Sequence, residues 1–292
     1  MLIAKCLCRS NDKLGESPLW IDEEESIYWV DIENCLINKY DLRISSKKTW
    51  KFNEQIGSLA EYKKNIFVAA TSNGFNFIDL KKNEIIPIID PEIKLSNNRF
   101  NDGKCDSKGR FYAGSMNKTG ENLSGSFYIL YNNLSFKKID ENYITTNGPA
   151  FSPDNKYIYL TDTKKGIIYI AAMDEDGLLN NKKEFININV SDGRPDGMAV
   201  DKNGNLWVAL FGGSRVNCYD NQGKKVDEVV LPVSCVTSCA FGGKKFNTLF
   251  ITTSSHKLSN EDKLKQPLAG SLFSIDLKIS GIKVNKFKYE SI

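Results

Sequence analysis

"PDGMAVDKNGNLWVALFGGSRVNCYD", residues 195–220, is the stretch on which the reading of this chain turns. Its first apolar run, Met198-Ala199-Val200, gives way to Asp201-Lys202-Asn203-Gly204-Asn205, residues that tolerate tight turns. The run that follows, LWVALF, is dense in the aromatic, β-branched and aliphatic side chains that suit a buried pleated strand. Gly212-Gly213-Ser214 then turns the chain into a third strand, which ends at Tyr219-Asp220. Asp196, near the start, is either a turn residue capping a hairpin or a carboxylate kept for chemistry. Recurrence of the unit elsewhere decides between them.

The unit does recur. "GESPLWIDEEESIYWVDIENCLINKYD", "IGSLAEYKKNIFVAATSNGFNFIDL", "FNDGKCDSKGRFYAGSM", "NGPAFSPDNKYIYLTDTKKGIIYIAAMD" and "TSCAFGGKKFNTLFITTS" share the order of apolar opening, polar turn, aromatic strand, Gly or Asn turn and further strand. With Glu16, Gly57, Asn101, Asn147, Asp196 and Thr237 as corresponding positions, the intervals are 41, 44, 46, 49 and 41 residues. A period near 45 with several short strands per unit predicts an all-β, six-bladed β-propeller. Residues 1–292 are expected to form one domain, with almost no helix, since no dozen residues carry a 3.6-residue apolar stripe.

In a propeller the innermost strand of each blade runs along a central channel. The corresponding positions therefore predict a ring at one mouth: Glu16, the Ile56-Gly57-Ser58 turn, Asn101, Asn147, Asp196 and Thr237-Ser238. Taken singly, each polar residue there is explained by turn chemistry or by bonds that hold blades together. Two carboxylates and two amides at one level also make a cluster of hard oxygens, which favours Ca²⁺, Mg²⁺ or Mn²⁺; Zn²⁺ on oxygen ligands alone is less usual.

Composition narrows the alternatives. The 292 residues are 41% hydrophobic and 26% charged, as in a soluble globular protein. A net charge of +3, with Lys-Lys pairs scattered along the chain, supplies no nucleic-acid footprint. No run reaches the roughly 18–20 apolar residues that cross a bilayer, so no membrane partner is expected. Seven cysteines without a CxxC pair, and no apolar leader, point to reduced thiols in a cytoplasm. The one histidine, His256, lies in "TTSSHKLSNEDK" and reads as a solvated loop residue. Multi-histidine zinc sites are excluded, and no GxSxG elbow, phosphate loop or dinucleotide glycine fingerprint is present.

"GESPLW", "NNRFNDGKCD", "TTNGPAFSPD", "RPDGMAVD", "TSCAFGG" and "QPLAGSLFSID", in that order, resemble the regucalcin and gluconolactonase family from about Gly15 to Asp276. The resemblance implies a central channel with one divalent metal site and hydrolysis of sugar lactones. It implies metal ligands at Glu16, Asn147 and Asp196, with Ca²⁺ first and Zn²⁺, Mn²⁺ or Mg²⁺ as alternatives. It further implies substrate contacts from Arg99 and Asn101, with Asp102 beside them. Where the regucalcin-like relatives carry a sugar-contacting Glu after the A-G-[ST]-M motif, "AGSMNKTGEN" has Thr119, with Glu121 nearby, a departure that bears on sugar specificity. The mechanism expected on this resemblance uses the metal as Lewis acid on the lactone carbonyl and Asp196 as general base, or metal-bound water as the nucleophile.

Other readings are a non-catalytic Ca²⁺-binding regulatory propeller, and a lactonase or esterase of another substrate class. A WD40-type interaction propeller fits poorly, because Trp29 is followed by Val30-Asp31 and Trp207 by no Asp. The partner expected is a small-molecule sugar lactone, and the chain is expected to be a monomer or weak oligomer. Lastly, "MLIAKCLC" alternates like an edge strand and is expected to complete the last blade beside "GIKVNKFKYE".

Overall fold

Each recurring unit forms one antiparallel sheet in the computed structural model, which describes residues 1–289. In the first blade Gly15–Ile21, Ser26–Asp31, Leu36–Asp41 and Ser46–Lys51 lie side by side in chain order. The innermost strands of the next five blades are Ile56–Lys63, Asn98–Cys105, Thr146–Phe151, Arg194–Val200 and Val236–Gly242. Each packs against the innermost strand of the blade before and after it, and the sixth packs against the first. The result is a closed six-bladed propeller, as the repeat predicts, with aromatic and branched side chains between blades. Tyr28, Val30 and Ile37 of the first blade, for example, meet Phe67, Ala69 and Ile78 of the second.

Pro18, Pro149 and Pro195 stand inside buried strands, where proline would ordinarily break a ladder. They are tolerated because the innermost strand has a neighbour on one side only, and its free edge faces the channel. The strand-ending aspartates visible in the repeat also have a structural job. Asp31 accepts hydrogen bonds from the backbone N–H groups of Lys13 and Leu14, each at 3.0 Å. Asp162 does the same for Ile144 and Thr145 at 3.1 and 3.4 Å. Each carboxylate thus fixes the turn that leads into an innermost strand, and so the positions of Glu16 and Asn147.

All six innermost strands carry a register shift at the same level: after Glu16, Ile56, Phe100, Asn147, Pro195 and Val236. A bulge of this kind bends a strand and re-aims its side chains. Here it does so around the ring predicted from the sequence.

The N-terminus closes the ring. Lys5–Cys8 pairs antiparallel with Leu272–Asp276 as the outermost strand of the last blade, and Leu2–Ile3 pairs parallel with Lys225–Val230 of the fifth. The partner differs from the expected one: residues 281–289 make no outer strand and run across the far end of the channel. Gly281 N–H donates to Phe246 O at 2.7 Å, Phe287 N–H to Glu61 O at 2.7 Å and Lys288 N–H to Gly109 O at 3.0 Å. Glu290, the last residue of "GIKVNKFKYE", lies outside the described residues. Among the described residues the only α-helix is Asn260–Lys265, and no helix is long and apolar enough to cross a membrane.

Candidate active site

Two cavities lie along the channel. One, of about 190 Å³, opens at the mouth where the innermost strands begin, and Glu16, Arg99, Asn101, Asn147 and Asp196 line it. The other, of about 230 Å³, lies further along the same strands; it is mostly apolar and is roofed by residues 282–285. The polar cavity is smaller, but it gathers the ring carboxyls and amides.

Glu16 and Asp196, from the first and fifth blades, are buried beside each other at 5% and 6% exposure. Glu16 Oε2 accepts the N–H of Ser17 at 3.1 Å, while Asp196 Oδ1 is buried without any hydrogen-bond partner. Burial, followed by the charges of Asp196 and Asp102, pushes the Glu16 carboxyl well above its ordinary pKa. Burial and then Asp102 do the same to Asp196. Two carboxylates forced together out of water are costly unless a proton or a cation neutralises them.

A polar chain crosses the other half of the cavity. Arg99 Nη1 donates to Asn101 Oδ1 at 2.6 Å and to Phe100 O at 3.0 Å. Asn101 Nδ2 donates to Asn147 Oδ1 at 3.0 Å and to Thr146 O at 2.7 Å. Asn147 Nδ2 in turn donates to Thr163 Oγ1 at 2.8 Å. The Asn147 amide is thereby fixed at both ends, its oxygen on Asn101 and its nitrogen on Thr163. Burial lowers the pKa of the Arg99 guanidinium, while Glu33, Glu16 and Asp196 oppose that shift.

These residues fit a divalent cation. The donor set is two carboxylates, one of them with an orphaned oxygen, and an amide oxygen oriented by its neighbours. No group of three His, Cys, Asp or Glu side chains suited to a metal ion occurs among the described residues, so amide and water oxygens would complete the shell.

A family model described as the SMP-30/gluconolactonase/LRE-like region matches residues 14–255. The chain belongs to the SMP-30/gluconolactonase/LRE-like family. Within it, YvrE of Bacillus subtilis (strain 168), provisionally named a sugar lactone lactonase, is 36% identical over 270 residues, covering 92% of each chain. A 6-deoxy-6-sulfogluconolactonase from Pseudomonas putida is 32% identical over 280 residues, covering 95% of this chain and 96% of its own. In fold, the crystal structure of a calcium-binding regucalcin from Agrobacterium tumefaciens strain C58 superposes with a TM-score of 0.94 at 23% identity, covering 98% of each chain.

In this family member the cavity gathers four of the six ring positions. Gly57 and Thr237 do not line it; the Thr237 hydroxyl donates to Gly15 O at 2.5 Å and ties the last blade to the first. Asp102 is close to both site carboxyls but faces the second cavity. Its oxygens accept the N–H groups of Gly103 at 2.8 Å and Gly148 at 3.0 Å, and burial raises its pKa to about 6. Thr119 is on the exposed rim, its hydroxyl donating to Asn117 Oδ1 at 2.6 Å, and Glu121 is not among the lining residues. The sequence reading did not pick out Glu33, Lys118, Lys164, Arg194 and Lys257 as site residues, and it read His256 as loop alone, whereas this exposed histidine also lines the rim. Arg194 did have a signal: it stands two residues before Asp196 on one strand, hence on the same face.

Proposed function

We propose that this chain is a divalent-metal-dependent hydrolase that opens sugar lactones to aldonic acids. The observation that carries this reading is the buried Glu16–Asp196 pair with its unpartnered Oδ1, in a cavity the size of one small ring. The names of the two sequence relatives point to the same substrate class. Glu16, Asp196 and the Asn147 amide oxygen would hold the cation, with Ca²⁺, Mn²⁺ or Mg²⁺ favoured by ligand hardness and Zn²⁺ as the less usual alternative. When bound, the cation supplies Lewis-acid polarisation of the lactone carbonyl.

The protein's own residues do the remainder. Asp196 accepts the proton of the attacking water, the carbonyl carbon gains the oxygen, and the ring C–O bond breaks as its oxygen takes up a proton. Arg99, engaged only through Nη1, turns its other N–H groups to sugar hydroxyls and holds the ring for attack. Both N–H donors of Asn101 are committed to Thr146 and Asn147, so it acts chiefly by fixing Asn147, with its substrate contact secondary. Asp102 works from behind, anchoring the backbone at Gly148 and raising the proton affinity of Asp196. Thr119 meets the sugar at the rim. Seven unpaired cysteines fit a reducing, cytoplasmic setting for such an enzyme.

Hydrolysis of glucono-, galactono-, xylono- and arabinonolactones should vanish on chelation and return with Ca²⁺. Asp196→Asn and Glu16→Gln should each lower the rate about a thousandfold or more. Full activity in chelated protein would overturn the metal mechanism, and cation binding without turnover of any lactone would leave a binding protein instead.

A further inference from the structure

The mouth of the polar cavity is richer in cations than a neutral sugar requires. Arg99, Lys118, Lys164, Arg194 and Lys257 line it with His256, against only Glu16, Glu33 and Asp196. A divalent cation at the site would offset Glu16 and Asp196, leaving Glu33 alone opposite five side-chain cations. Some basic side chains nearby do pair with acids: Lys165, the neighbour of Lys164, pairs with Asp162 at 3.3 Å, and Lys182 pairs with Asp140 at 2.6 Å. Among the described residues, none of the five lining cations forms an ion pair.

Arg194 is the most telling of them. It is half-buried at the start of the fifth innermost strand, and its Nε–H is buried without a hydrogen-bond partner. A buried donor left unpaired destabilises the protein unless something else bonds it. Lys164 directly follows Thr163, the residue that holds the Asn147 amide, and its stem passes within 3.9 Å of where a side chain on Gly120 would begin. A forked guanidinium two residues from Asp196 and an exposed ammonium one residue from Thr163 thus line the same cavity. That combination grips oxyanions, the fork by bidentate hydrogen bonds and the ammonium as a point charge.

We propose that the substrate is a sugar lactone bearing a second, anionic group remote from the ring carbonyl, a carboxylate, sulfonate or phosphate bound by Arg194 with Lys164. This rests on the lactonase reading above and specifies its substrate class. The lactone carbonyl would lie over Glu16 and Asp196, with the oxyanion at the rim.

The test compares Ca²⁺-loaded full-length protein on gluconolactone with the matching 6-carboxylate, 6-sulfonate and 6-phosphate lactones. At least one anionic lactone should have a kcat/KM tenfold or more above gluconolactone, mainly through KM, and about 0.5 M NaCl should compress that ratio. Arg194→Met and Lys164→Met should each reduce the anionic-to-neutral ratio by roughly tenfold to a hundredfold, with Arg194→Lys retaining part of it. The best of the three anions identifies the group. Equal kcat/KM for neutral and anionic lactones, or a ratio unmoved by Arg194→Met, would overturn the proposal while leaving the lactonase reading intact. If no lactone is hydrolysed, that reading fails by itself, and calorimetry then decides the anion site. Glucarate binding more tightly than gluconate, with the difference lost in Arg194→Met, would support the site, and equal binding would overturn it.

Discussion

Glu16 and Asp196 hold their protons more tightly in the folded chain than in an unfolded one, where carboxyls titrate near 4. Asp102, raised to about 6, adds to the effect. Because the native state then binds more protons, the stability these groups contribute is complete below about pH 4 and is lost as pH rises through the folded values. Chelated protein should therefore lose melting temperature as pH rises from about 4 through about 6, where Asp102 titrates, and onward as Glu16 and Asp196 ionise. Saturating Ca²⁺ should flatten or reverse that slope, and Ca²⁺ added near pH 6 should release protons into a weak buffer. Calorimetry with and without chelator measures the first effect and a pH-stat the second; parallel curves and no proton release would rule out a cation between these two carboxyls. The pair was legible in the sequence because both residues occupy one slot of a repeat. Asp102 was placed less well: Arg99 and Asn101 share a strand face, and the alternation that unites them turns the intervening and following residues away.

At the level of elements, the site depends on how closely the innermost strands approach one another. A Cβ on Gly57 would lie 2.4 Å from Asn101 O and 2.9 Å from Asn101 Cα, so a strand of the second blade presses directly on the backbone that carries the Arg99–Asn101–Asn147 chain. Gly57→Ala should cost about 1–3 kcal/mol by overpacking. It should also lower kcat/KM under conditions where the protein is fully folded, since Asn101 must shift. A denaturation midpoint together with steady-state kinetics separates the two effects, and an alanine variant matching wild type in both would show that the contact has slack. Gly57 was visible as the ring position without a side chain, but the reason for it was not. The six bulges are shifts of backbone register, and intervals varying between 41 and 49 residues give no sign of where along each strand the shift falls.

Across the whole molecule, the two chain ends are used at different places. The period of the repeat and the alternation of "MLIAKCLC" were enough to predict closure by the N-terminus. The C-terminal partner was misread because residues 281–289 mimic a strand in composition but not in spacing. Val284 and Phe287 both face inward across an odd interval, and Phe287, 2% exposed, packs against Tyr62 and Phe77 at the far end of the channel. Ring closure itself rests on Lys5–Cys8, the outer strand of the last blade that leads into the first, while Leu2–Ile3 adds a tie to the fifth. Buried Ala4 donates its N–H to Val230 O at 3.0 Å between two strands that belong to different sheets. Deleting residues 1–9 would expose Leu272–Asp276 as an open edge and remove the stretch by which the outermost strand of the sixth blade continues into the first. Loss of a few kcal/mol in a protein of this size should lower the melting temperature by about 10 °C, and the bare edge should promote self-association. Calorimetry and size-exclusion chromatography of the truncated chain would register both, whereas an unchanged melting temperature would mean that packing among the innermost strands closes the ring unaided.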